Sequence, residues 1–68
     1  MIPRTRSEIN KAFLSGDTLT DKELVILRDF YERVTDDLAL LGDHFHLAWK
    51  ETYTRYRMLV QMGNARNI

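Results

Sequence analysis

The residues most able to do chemistry are few. His44 and His46 flank Phe45, with Asp43 alongside, and invite a metal reading. On a helix, residues two apart point roughly 200° from each other, so the two imidazoles cannot close on one ion. Packed or solvated histidines are the expectation. Nucleophilic catalysis needs an activated Ser, Cys or Lys beside a base. Cysteine is absent, and Ser7 and Ser15 fall at the ends of a short helical stretch, where capping is the usual role. The carboxylates Asp29, Glu32, Asp36 and Asp37 lie off the apolar stripe of their segment, as on a solvated helix face. The three glycines are scattered singly, so there is no phosphate-cradling loop. These absences point away from an enzyme and from any cofactor.

Trp49-Lys50-Glu51-Thr52-Tyr53-Thr54-Arg55-Tyr56-Arg57 interleaves aromatics with bases, which can suit nucleic acid through stacking and phosphate contacts. Trp49, Tyr53 and Tyr56 also fall at i, i+4 and i+7, one packing stripe, with Lys50, Arg55 and Arg57 beside it and available to an acidic partner helix. The structural role is the stronger expectation.

Two capping boxes position these residues. Thr5 and Glu8 open a helix over 6–15, carrying Ile9, Ala12 and Phe13, which Gly16 stops. Thr20 and Glu23 open the second, with Leu19 and Leu24 at the hydrophobic-staple positions. Its stripe is Leu24, Leu27, Tyr31, Val34, Leu38 and Leu41, at the alternating spacing of three and four that marks a coiled-coil seam. Gly42 ends it. Asp43 is placed to cap a third helix whose stripe is Phe45, Trp49, Thr52, Tyr56 and Leu59, closed by Gly63-Asn64. The expectation is all-α, with helices over 6–15, 21–41 and 44–62 in a single domain spanning 1–68, and with 1–5 and 64–68 loose. Continuing the second helix's seam past Leu41 runs it into Thr52 and Arg55. The phase therefore slips at Gly42-Asp43, which favours an antiparallel hairpin. One long bent helix running across Gly42, paired with a second chain, is the alternative. Leu27, Tyr31, Val34, Leu38, Trp49 and Tyr56 are the expected core.

A chain of 68 residues buries little and commonly needs disulfides, a metal or oligomerisation. Without cysteine, oligomerisation or unusually good helix packing remains. No apolar run exceeds four residues, as at Leu38–Leu41, against roughly 20 for a membrane span, and no apolar segment follows the basic N-terminus, so no secretory signal is expected. The net charge is zero but unevenly placed. Residues 1–16 carry Arg4, Arg6 and Lys11 against Glu8, for +2. Residues 17–43 carry eight acids against three bases, for −5, and residues 44–68 four bases against Glu51, for +3. A uniformly basic nucleic-acid binder does not look like this.

Leu19-Thr20-Asp21-Lys22-Glu23-Leu24-Val25-Ile26-Leu27 resembles the opening helix of LuxR-type helix-turn-helix domains. There a turn and a polar recognition helix follow, whereas here the amphipathic pattern runs on to Leu41, so the likeness reduces to a shared capping box. In length, charge richness and lack of cysteine the whole chain resembles the small helical accessory proteins of lambdoid phage early regions. That resemblance implies a protein of the host bacterial cytoplasm that acts by binding, and it assigns no functional residue.

Two functions follow. One is a non-enzymatic regulatory or adaptor protein that binds another protein, and itself as a homodimer in a four-helix bundle. Its contact residues would be Ile26, Phe30 and Leu40 beside the first seam and Lys50, Tyr53, Arg55 and Arg57 on the third helix. The other is a small DNA- or RNA-associated regulator using Arg4, Arg6, Lys11 and the basic side of the third helix.

Overall fold

A computed structural model describes residues 2–68. Three α-helices are present: α1 (Arg6–Leu14), α2 (Asp21–Leu41) and α3 (His46–Ala65). No strand occurs among the described residues. The helices begin where the side chains supply hydrogen-bond acceptors. Thr5 accepts from the Glu8 amide while Glu8 accepts from that of Thr5, and Thr20 and Glu23 repeat the arrangement. Each box satisfies amides that a helix start leaves without an internal partner. Leu19 and Leu24 complete the staple and are both buried.

α1 ends as its glycine requires. Gly16 adopts φ +79°, and the Asp17 amide donates back to the Ala12 carbonyl at 2.9 Å, the closing bond of a Schellman motif. Gly42 ends α2 with φ 90° and ψ −168°, a region open in practice only to glycine. The chain then reverses, and α3 packs antiparallel along α2. The hairpin, not the single bent helix, is the structure.

Three local expectations need correction. Asp43 caps nothing: it opens a 3-10 turn, Asp43–Phe45, and no side chain caps the start of α3. Gly63 does not end α3 but lies buried inside it. A Cβ there would meet Leu24 Cδ2 at 3.5 Å and Arg28 Nη1 at 3.0 Å, so the glycine serves the close approach of α2. The helix runs to Ala65 and is closed instead by Asn67, at φ 62°, with the Ile68 amide donating to the Gly63 carbonyl at 2.9 Å. Residues 64–68, read from the sequence as loose, are further bonded. Arg66 Nη1 donates to the Leu19 carbonyl at 2.6 Å and to Asp21 Oδ1 at 3.2 Å. At the other end of the chain, Arg4 grips both carboxylate oxygens of Glu23 at 2.6 and 2.7 Å.

The core sits where α1 crosses the open end of the hairpin. Ile9 and Ala12 of α1, Leu19, Leu24, Leu27 and Tyr31, and Leu59 of α3 form it, with Phe13, Phe30, Tyr56 and Met62 packed at its edge. Of the six residues expected to form the core, Leu27 and Tyr31 are buried, whereas Val34, Leu38, Trp49 and Tyr56 are only half-buried. The cause is geometric. At about 1.5 Å per residue, nine residues of α1 cover under half of α2, and no third layer lies over the half nearest the turn.

Candidate interaction surfaces

The fold leaves three surfaces whose chemistry could be used. The first is the turn end. Four large apolar residues within eight consecutive positions are exposed here: Leu40 (86%), Leu41 (58%), Phe45 (43%) and Leu47 (81%). Near the turn a depression of about 330 Å³ is lined by Leu38, Ala39, Gly42, Asp43, His46 and Trp49.

The second runs along α3. The rings of His46 and Trp49 stack at 6.0 Å and 18°, and those of Trp49 and Tyr53 at 5.0 Å and 7°. The Arg57 guanidinium lies 6.0 Å from the centre of the Tyr53 ring. The ladder follows helical spacing, with 46, 49, 53 and 57 sharing one face. Neighbouring rings in the ladder are near-parallel.

The third is the cleft beside α1. Arg6 lies 4.2 Å over the Phe30 ring, and Phe30 packs edge-on to Tyr31 with ring centres 5.4 Å apart. Tyr31 donates its hydroxyl hydrogen to Asn10 Oδ1. Ile26 stays exposed next to this group.

The expected contact residues therefore fall on separate surfaces. Ile26 and Phe30 come together beside α1, with Phe30 largely taken up by Arg6 and Tyr31. Leu40 joins the turn end. Tyr53, Lys50 and Arg57 share the side of α3 facing away from α1. Arg55 points toward the α1 side and bonds Glu51 at 2.6 Å on its own helix. Helix phase alone could have made that separation, but α1 had to be placed first.

The expected pairing of the α3 bases with α2 is not found. The ion pairs among the described residues are Arg4–Glu23, Arg55–Glu51 and Arg66–Asp21. Asp29, Glu32, Asp36 and Asp37 of α2 and Lys50 and Arg57 of α3 take part in none of them.

Electrostatics is strongest at the α2 start. The Arg4 guanidinium and the Thr20 amide hold the Glu23 carboxyl down at about 2. The Thr5 amide and hydroxyl lower that of Glu8. Both carboxylates serve helix caps. Among the described residues, no group of three or more His, Asp or Glu is arranged to hold a metal ion, and no described helix is long and apolar enough to cross a membrane.

No protein-family model matches this chain, and no curated protein or solved structure is detectably similar to it.

Proposed function

We propose that this is a small non-enzymatic regulatory or adaptor protein that works by binding another protein through the turn end of its hairpin. The observation that carries the reading is the cluster of Leu40, Leu41, Phe45 and Leu47, exposed together within eight consecutive residues. Single exposed apolar residues are normal on a surface, whereas a concentration of them at one end of a molecule suits a contact site. The glycine turn and the two flanking helices hold that patch at one end of the molecule, where a partner can reach it.

The nucleic-acid alternative keeps Lys11, Lys50 and Arg57, which form no ion pair among the described residues, but loses other bases. Arg4 is held by Glu23, Arg6 lies on Phe30, Arg55 bonds Glu51, and Arg66 bonds Leu19 and Asp21. Trp49 and Tyr53 stack on each other, which competes with stacking on a base, the usual platform for single strands. The acidic outer side of α2 repels phosphate. The style of the chain suits an accessory protein from a phage early region, acting on host functions or phage development in the host cytoplasm.

The test is binding to random duplex and single-stranded DNA at about 150 mM salt, where screening is already strong. No submicromolar binding is expected. Submicromolar binding that is lost in Arg55→Ala/Arg57→Ala would replace this reading with the nucleic-acid regulator.

A further inference from the structure

α1 packs on α2 and shares the core with Leu59 of α3, so it lies on one broad side of the hairpin and no described element lies over the opposite side. At roughly 100° per residue, Val25, Glu32, Asp36 and Ala39 of α2 lie on that bare side. Phase also puts Trp49, Lys50, Tyr53, Arg57 and Val60 of α3 there. The middle of the face is apolar and aromatic: Trp49, Val25 and Val60 are half-buried and Tyr53 is exposed. One long edge is acidic, with Glu32 and Asp36, and the other basic, with Lys50 and Arg57. None of these four charges has an ion-pair partner among the described residues.

We infer that this face binds a second copy of the chain, about a two-fold axis that runs parallel to the helices. The face meets the turn end at Ala39 and Trp49, but its four charges lie outside the turn end, so charge reversals there test the dimer separately. Charge and register select the arrangement. A two-fold axis along the helices lays each α2 over the partner's α3 at the same height, acidic edge on basic edge. An axis across the helices would set acid on acid. Thr35 Oγ1 donates to Thr52 Oγ1 at 3.2 Å, which fixes the heights: residue 36 is level with residue 51, and residue 32 with residue 55. Asp36 thus falls about 1.5 Å in height from Lys50 of the partner subunit, and Glu32 about 3 Å from the partner subunit's Arg57. The symmetry makes each pair twice, as an isologous interface requires.

The area is also what a dimer needs. Two helices of 20 and 21 residues offer a face about 30 Å by 20 Å, on the order of 600 Å², near the roughly 800 Å² per partner of a standard interface. The chain exposes 5236 Å², whereas a monomer of 8.1 kDa exposes about 4,500 Å². Covering the bare side removes an excess of that size. Zero net charge leaves no overall repulsion between copies.

Sedimentation equilibrium of the full chain, from about 1 to 200 µM to bracket such an interface, tests this alongside two charge reversals at exposed positions. The wild type is expected to sediment as a dimer. Asp36→Lys and Lys50→Asp should each weaken it roughly ten-fold or more, since each reversal turns two attractions into repulsions. The double variant Asp36→Lys/Lys50→Asp should regain most of the loss. Circular dichroism checks that each variant keeps its helices. A wild-type monomer throughout, a dimer indifferent to both reversals, or a dimer strengthened by Asp36→Lys alone would each overturn the proposal; the last would mean acid facing acid.

Discussion

Glu23 does two jobs with one carboxylate. It accepts from the Thr20 amide as part of the α2 cap and takes both hydrogen bonds of the Arg4 guanidinium. Its folded pKa, about 2 against an ordinary 4.5, is depressed. The stability it contributes is therefore fully present above pH 4.5 and is lost as pH falls toward 2. Glu23→Gln retains a capping side chain and removes the charge. The variant should show a flatter acid limb than the wild type across that window, followed by helical signal in a pH titration. An unchanged acid limb would mean that the Arg4 contact does not stabilise the fold. The sequence shows half of this. The capping box is legible in Thr20-Asp21-Lys22-Glu23, but Arg4 lies 19 residues away, and no local pattern brings it to Glu23.

Single core residues separate in the same way. Leu24 is completely buried against Gly63, whereas Leu38 is half-buried and Leu40 almost wholly exposed. Leu24→Ala should cost about 2–5 kcal/mol, Leu38→Ala clearly less, and Leu40→Ala within roughly 0.5 kcal/mol of zero. Urea unfolding monitored by circular dichroism checks the order, and equal losses at Leu24 and Leu40 would contradict the placement of the core.

At the scale of elements, periodicity and capping carry the fold well. The seam from Leu24 to Leu41 and the phase slip at Gly42 are enough to place α2, the turn and α3, because a helix hairpin has to bury one stripe against another. Gly42 is the point on which the reversal turns. With φ 90° and ψ −168°, Gly42→Ala should cost about 1–3 kcal/mol, although a Cβ there would meet nothing within 4 Å. The loss is purely backbone strain. A neutral result in urea unfolding would mean that the turn relaxes into another conformation. Gly63 was misread for the opposite reason. A glycine near a helix end usually terminates it, and only the approach of Leu24 and Arg28 reveals that this one is wanted for lack of bulk. The extent of the core was also not legible. Heptad spacing distributes Val34, Leu38 and Trp49 equally with Leu27, and it is the shortness of α1 that leaves the turn half of the stripe uncovered.

For the whole molecule, shape carries the functional reading. The radius of gyration is 12.6 Å, against about 11 Å for a compact domain of this length, and the body measures 41 × 25 × 18 Å. Such a rod keeps its hydrophobic core at one end and leaves Leu40, Leu41, Phe45 and Leu47 exposed at the other. Composition hinted at this excess of apolar surface, but only the placement of α1 says where it lies. The aromatic and basic segment 49–57, which reads more strongly as packing than as ligand contact, is split by the structure: Thr52 and Tyr56 face α2, and Tyr53 and Arg57 face outward.

The most direct test of binding through the turn end is site-specific photo-crosslinking in the native cell. A photoreactive side chain at Leu47, one of the most exposed apolar positions of the patch, should give a discrete covalent adduct with another protein. The same probe at Lys11, exposed on α1 and far from the turn, should give none. Adducts with nucleic acid, or equal labelling from both positions, would contradict it.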